Sequence, residues 1–142
     1  MGETEVSFAS LHAEGGERFV SLRRALGVRS FGMNLIVLQP RQRGRIHAHR
    51  SQEEVYAVLE GELTLLLADG VEHRLAAGRL ARVPHAVRRQ LVNRGPQRVV
   101  LLALGGAGEH EGRDGCAWES FQEGGEGRPP QEVPLPEDLP GE

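Results

Sequence analysis

Short apolar stretches alternate with turn-forming residues along most of the chain. SFGMNLIVLQP (30–40), EEVYAVLEG (53–61) and QRVVLLAL (97–104) each have the length and composition of a single β-strand. Gly, Pro, Asn and Asp separate such stretches at intervals of about 8–12 residues. This spacing is typical of an all-β sandwich or barrel, and we predict that class for residues 18–104.

Two local patterns give more specific predictions. Asp69-Gly70 lies between two alternating stretches, which predicts a β-hairpin with a type I′ turn and positive φ at both central residues. Residues 18–25 are predicted to form another strand. The segment 11–26 has some helical spacing, but two glycines interrupt it.

The two ends of the chain differ in composition from the middle. Residues 1–17 are polar and are predicted to form an N-terminal arm, and residues 105–142 form an acidic, Gly/Pro-rich C-terminal tail. Within the tail, 122–142 has too few apolar residues to fold alone, so it is either loose or wrapped over the body. We expect its removal to cost little stability. Trp118 and Phe121 are the residues expected to anchor the tail.

Charge and cysteine content narrow the class of protein. The formal net charge is -3, with fifteen arginines against ten acids before Gly105 and two against ten from there on. This balance argues against a nucleic-acid-binding protein. All basic residues are arginine, so no lysine is available as a nucleophile or base. With one cysteine, no signal peptide pattern and no long apolar stretch, we expect a cytoplasmic protein that does not bind membranes.

The segment RIHAHRSQEE carries the strongest chemical signal. In a strand, His47 and His49 project from the same face with Cα atoms about 7 Å apart. Glu54 lies near the start of the next predicted strand and can complete a His-His-Glu face. Imidazole and carboxylate ligands suit Fe, Mn, Ni, Cu or Zn. Tyr56 shares its strand parity with Glu54, so its hydroxyl either lines the pocket as a substrate-binding group or packs in the core.

The same segment resembles the first motif of the cupin family. That motif is His-X-His, four residues, Glu, six residues and Gly, and His47, His49, Glu54 and Gly61 have this spacing. The resemblance implies an antiparallel double-sheet jelly-roll β-barrel. It also implies that the two histidines and the glutamate are metal ligands and that the chain forms a homodimer.

The second cupin motif is present with two departures. Gly78, Pro84 and Asn93 stand at the family's positions, but Ala86 replaces a glycine and Arg89 replaces the last metal-ligating histidine. This substitution makes the role of the arginine the main question about the site.

Two arrangements of Arg89 avoid a clash between its charge and a bound metal. The guanidinium either pairs with Glu54 in a metal-free site, or it swings toward the mouth of the barrel and binds an anionic substrate. We favour the second arrangement slightly. His85 is a candidate fourth ligand, but it stands four residues before Arg89, about 13 Å along an extended strand, so the loop after Pro84 would have to fold back.

Three functions remain open. The leading hypothesis is a metal-binding cupin that acts on or binds a small, anionic metabolite, with an oxygenase or isomerase type of reaction among the options. The second is a metal-free binding protein in which Arg89 recognises an anion. The third is a structural or regulatory subunit that uses its acidic tail for contacts. The fold alone does not select among them.

Overall fold

The computed structural model describes residues 5–13, 16–106 and 114–141. These residues form short strands, one α-helical turn and one 3-10 turn. The elements are β1 (Phe19–Ser21), α1 (Leu22–Leu26), β2 (Gly32–Leu38), β3 (Ile46–His49), β4 (Glu53–Glu60), β5 (Glu62–Leu67), β6 (Glu72–Ala76), β7 (Leu80–Val83), β8 (Arg89–Val92), β9 (Val99–Gly106), β10 (Gly115–Trp118) and a 3-10 helix (Pro130–Glu132).

The strands form two antiparallel five-stranded sheets. One has the order β1-β2-β9-β4-β7 and the other has the order β10-β3-β8-β5-β6. The sheets share one apolar core, to which the first contributes Leu38, Val58 and Leu101 and the second contributes Leu63 and Leu91. The predicted all-β, double-sheet jelly roll is confirmed.

A tight backbone approach explains the glycine between β4 and β5. Gly61 has φ 77°, and a Cβ atom there would lie 2.3 Å from the carbonyl oxygen of Arg98. Every other residue type would clash at this point, so the motif glycine is required by the fold. Asn93 also has a structural role, because its side-chain amide donates to the carbonyls of Leu38 and Gln97.

The strand predicted over residues 18–25 is only partly present. β1 ends at Ser21, and α1 follows it. The Ser21 side chain accepts from the backbone N–H of Arg24, and Gly27 ends the helix in the left-handed region. These two caps, together with burial of Leu22, stabilise a short helix that the weak apolar spacing did not predict.

The hairpin predicted at Asp69-Gly70 forms between β5 and β6, but its turn is not type I′. Only Gly70 of the two has a positive φ, 83°. The N–H of Leu67 donates to the carbonyl of Val71, and the Asp69 carboxylate accepts from the N–H of Val71. The connection is therefore a three-residue loop in which the aspartate side chain replaces a backbone acceptor.

The C-terminal segment is wrapped over the body, the second of the two arrangements considered for it. β10 pairs with β3, and Trp118 and Phe121 pack against the start of β3. Further along, Val133 is 2% exposed and the N–H of Leu139 donates to the carbonyl of Arg41. In the described part of the chain, no helix has the length and apolar character needed to cross a membrane.

Candidate metal centre

Strands from both sheets bring three candidate ligands together. His47 and His49 project from the same face of β3, and Glu54 reaches them from β4 in the other sheet. Each histidine Nε2 lies 3.5 Å from the Oε1 atom of Glu54. All three ligand atoms lie within 4.8 Å of one another.

The spacing of these atoms fits a transition-metal ion. Metal–ligand bonds of about 2.1 Å in tetrahedral geometry put neighbouring ligand atoms about 3.4 Å apart. The Nε2 atom of His49 is buried and has no hydrogen-bond partner among the described residues, which is costly unless something binds it. Two imidazoles and a carboxylate form a donor set suited to Mn, Fe, Ni, Cu or Zn.

Contacts behind the rings orient both histidines. The Nδ1 atom of His47 lies 3.1 Å from the carbonyl oxygen of Arg45, which can only accept, so Nδ1 carries the proton. The Nδ1 atom of His49 lies 3.7 Å from the Oδ2 atom of Asp114, a weaker contact of the same kind. The ring of His47 therefore presents its Nε2 lone pair to the site, and the Nε2 atom of His49 points toward the same carboxylate oxygen.

Asp114 is a site residue that the sequence analysis missed. Its carboxylate accepts from the N–H and hydroxyl of Ser51 and from the N–H of Gln52, so it fixes the turn between β3 and β4. Burial acts to raise the pKa of Asp114, but these hydrogen bonds lower it overall. The available signal was a single acid placed directly before the apolar run GCAW in a segment interpreted as tail.

Arg89 has the first of the two predicted arrangements, and the swing toward the mouth is not observed. Its side chain is completely buried, and Nη2 donates to Oε1 of Glu54 at 2.8 Å. Nε donates to the hydroxyl of Tyr56 at 3.1 Å, and Nη1 donates to the carbonyl of Val87 at 2.7 Å. The guanidinium is thus an internal counter-ion, which leaves it poorly placed to recognise a ligand.

The buried hydroxyl and carboxylate beside Arg89 have opposite pKa shifts. Burial, and then the charge of Glu54, holds the pKa of Tyr56 well above its usual value. Burial acts to raise the pKa of Glu54, but its contacts with the imidazoles of His47 and His49 hold it well below its usual value. Tyr56 therefore stays protonated and donates to Glu54 at 2.5 Å. A metal would compete with this hydroxyl and with Arg89 for the same carboxylate oxygen.

His85 is not brought into this cluster. It is exposed, and its Nδ1 atom lies 3.3 Å from the backbone carbonyl oxygen of His49. The N–H of His49 donates in turn to the carbonyl of His85. The loop after Pro84 therefore stays beside β3 and does not turn its histidine inward as a fourth ligand.

The candidate ligands face a cavity of about 350 Å³ between the two sheets. Ile36, Leu91 and Ala103 form part of its apolar wall. A second cavity of about 230 Å³ lies next to it and shares His49 and Glu54. The larger cavity has the volume of a small-molecule site.

Residues 34–105 match the family model described as the cupin domain. The chain belongs to the cupin family. The match covers β2 to β9 and therefore all three candidate ligands of this cupin. No curated protein sequence matches the chain.

Two solved structures are about a third identical to this cupin over the aligned part of the chain. A sugar phosphate isomerase from a cupin superfamily, from Silicibacter pomeroyi, is 33% identical with TM-score 0.58 over 63% of this chain and 58% of that one. A candidate sugar phosphate isomerase from Acidithiobacillus ferrooxidans is 30% identical with TM-score 0.58 over 68% and 60%. The chain therefore spans about three fifths of the length of each protein.

A more distant structure supports the fold alone. An uncharacterized conserved protein with a double-stranded β-helix domain, from Klebsiella pneumoniae, is 17% identical with TM-score 0.65. The alignment covers 82% of this cupin and 100% of that chain.

Proposed function

We propose that this cupin holds a divalent transition metal with His47, His49 and Glu54 and binds a small anionic metabolite beside it. The observation that carries the proposal is the convergence of two histidine Nε2 atoms on one carboxylate oxygen, each at 3.5 Å. The carbonyl of Arg45 orients the ring of His47, and a longer contact with Asp114 lies behind the ring of His49, so both Nε2 atoms face the same point.

The similarity to two sugar phosphate isomerases favours an isomerase type of reaction over an oxygenase type. A divalent metal bound here would act as a Lewis acid toward an oxygen atom of the metabolite. The apolar wall of the cavity would restrict the access of water to that oxygen. Tyr56 and Arg89 hold the carboxylate of Glu54 in place from the core side.

One observation favours a second candidate function, a metal-free binding protein. Arg89 already neutralises Glu54, and a guanidinium that shares a carboxylate with a dication would repel it by several kcal/mol, on the order expected at an effective dielectric near 20. In the metal-free protein, the charge of Glu54 is therefore already balanced by Arg89. We place it second because it leaves the buried Nε2 atom of His49 without a partner.

Calorimetric titration with Mn²⁺, Ni²⁺ and Zn²⁺ tests the metal proposal. We expect His47→Ala, His49→Ala and Glu54→Ala each to weaken metal binding at least tenfold, because each removes one of three ligands. His73→Ala is the matched control, since this histidine is exposed on β6. If the three site variants bind all three ions as tightly as the parent protein, the ligand assignment is wrong.

A further inference from the structure

Arg45 continues the row of side chains formed by the two histidines. Residues 45, 47 and 49 alternate with the buried Ile46 and Ala48, so all three project from one face of the chain. Arg45 lines the same cavity as His47 and His49. An arginine thus lies at one end of the cavity that holds the candidate metal ligands.

The guanidinium of Arg45 is fixed in place but is only partly used. Its Nε atom donates to the carbonyl of Val133 at 2.7 Å. Its two terminal nitrogens have no protein acceptor among the described residues and are not sealed from solvent. An arginine held through Nε presents both terminal nitrogens as a preorganised fork for an oxyanion.

A second arginine adds to the positive charge at this point. Arg18 donates from Nη1 to the carbonyl of Arg43 at 3.2 Å, which holds it beside the chain just before β3. Burial, and then the charge of Arg18, lowers the pKa of Arg45. Within the described ranges, neither Arg18 nor Arg45 has a carboxylate within 4.0 Å.

Arg18 and Arg45 differ in this respect from the arginines that form ion pairs. Several arginines elsewhere on the described surface have acidic partners: Arg82 with Glu53, Arg94 with Glu72, and Arg98 with Glu60. Arg89, the other cationic group in the barrel, is neutralised by Glu54. Arg45, which lines the cavity, and Arg18, which lies beside the chain just before β3, therefore carry positive charge without a carboxylate partner among the described residues.

We propose that Arg45, supported by Arg18, binds the phosphate group of a small phosphorylated metabolite whose other end reaches His47 and His49. The proposal rests on the proposed function and specifies its ligand. A phosphate monoester carries close to two negative charges at neutral pH, which matches two guanidinium groups, whereas a carboxylate carries only one negative charge. The fork of Arg45 matches two phosphate oxygens.

Titration calorimetry with inorganic phosphate on the full chain, after removal of metal with a chelator, tests this site. We expect Arg45→Gln to weaken phosphate binding at least about tenfold, because a charge-assisted pair of hydrogen bonds is lost. Arg18→Gln should weaken it by a smaller factor without disturbing the bond to Val133. Acetate should bind the parent protein more weakly than phosphate.

Arg74→Gln is the matched control, because it removes one positive charge from an exposed position on β6. Phosphate binding that survives Arg45→Gln and Arg18→Gln unchanged would overturn the proposal. So would an equal loss in Arg74→Gln, which would indicate a diffuse charge effect. A loss in Arg23→Gln alone would also overturn it, by moving the anion to the neighbouring cavity that Arg23 lines.

Metal binding separates failure of this inference from failure of the proposed function. Arg45→Gln should bind Ni²⁺ as the parent protein does, since its guanidinium is not a metal ligand. If the parent protein binds phosphate but no metal, and Arg45→Gln weakens the phosphate binding, the phosphate site stands and the metal proposal fails. If the parent binds metal and Arg45→Gln leaves phosphate binding intact, the reverse holds.

Discussion

The residue that most distinguishes this site is the arginine in place of a ligand histidine. A long, always charged side chain inside a barrel needs a counter-ion, and Glu54 provides it at 2.8 Å. The three candidate ligand atoms still lie close together, but Oε1 of Glu54 would be shared between Arg89 and any bound cation. Under the metal proposal, the affinity depends on how Arg89 and the metal ion compete for that oxygen.

Arg89→His tests this balance. The change removes the competing guanidinium and restores the four-ligand pattern of the family, so we expect metal affinity to rise at least tenfold. Arg89→Gln serves as the control, because it removes the charge without adding an imidazole and should give a smaller gain. Calorimetric titration with Ni²⁺ measures both, and equal affinity in the parent and Arg89→His would contradict the shared-carboxylate account.

Asp114 provides a second test at the residue scale. Asp114→Asn keeps one acceptor for the backbone of Ser51 but removes the negative charge beside His49. Loss of a group that orients a ligand histidine typically costs about 10–100-fold in metal affinity. Asp138→Asn, at an exposed position in the C-terminal segment, is the control and should bind metal normally. A parent-like affinity in Asp114→Asn would show that His49 needs no support from behind.

At the scale of elements, β3 organises the site. One of its faces carries the row of cationic and imidazole side chains, and its edges pair with β8 and β10. β8 places Arg89 opposite His47, and the residue before β10, Asp114, has its carboxylate near His49. A single short strand thus gathers groups from three distant parts of the sequence.

The sequence predicted those parts of the site that depend on residues close together along the chain. Strand parity and motif spacing were sufficient to group His47, His49 and Glu54, because alternate residues of one strand share a face. Turn residues likewise marked most strand ends. α1 was not predicted, because a five-residue helix depends on its caps at Ser21 and Gly27 more than on apolar spacing.

Two features of the site depend on contacts that a single sequence does not specify. The pairing of β10 with β3, which places Asp114 behind His49, joins residues more than sixty positions apart. The orientation of Arg89 depends on which acceptor a long side chain reaches, and Glu54 was only one of two options. Both are consequences of tertiary packing.

The C-terminal segment gives a prediction about stability. Val133 is almost fully buried, and its carbonyl holds Arg45, so the segment supports the end of the cavity, and its removal should cost more than the sequence led us to expect. We expect Val133→Ala to lower the free energy of unfolding by about 1–3 kcal/mol, a drop of several degrees in Tm. Leu135→Ala is the control, since Leu135 is 39% exposed and should lose little. Equal Tm values for Val133→Ala and the parent protein would show that the docked segment adds no stability.

At the scale of the whole molecule, the two sheets flank a cavity whose wall carries the candidate metal ligands and Arg45. We propose that the chain pairs with a second copy, as the family resemblance led us to expect, and the N-terminal arm exposes Val6 and Phe8 at 77% and 85%. Apolar side chains this exposed on an arm are suited to a partner surface.

We therefore expect light scattering to give twice the chain mass. Phe8→Asp should shift the protein toward the monomer, because it puts a charge into the apolar contact. Leu80→Asp, at an exposed position on β7, is the control and should remain dimeric. A monomeric parent protein, or dissociation by Leu80→Asp alone, would rule out pairing through the arm.

The metal content of the protein, purified without added metal, tests the central claim most directly. Elemental analysis should find close to one transition-metal ion per chain in the parent protein and almost none in His49→Ala. His73→Ala should keep the parent's metal content. A parent protein without any transition metal, or a His49→Ala variant with undiminished content, would contradict the assignment of His47, His49 and Glu54 as a metal centre.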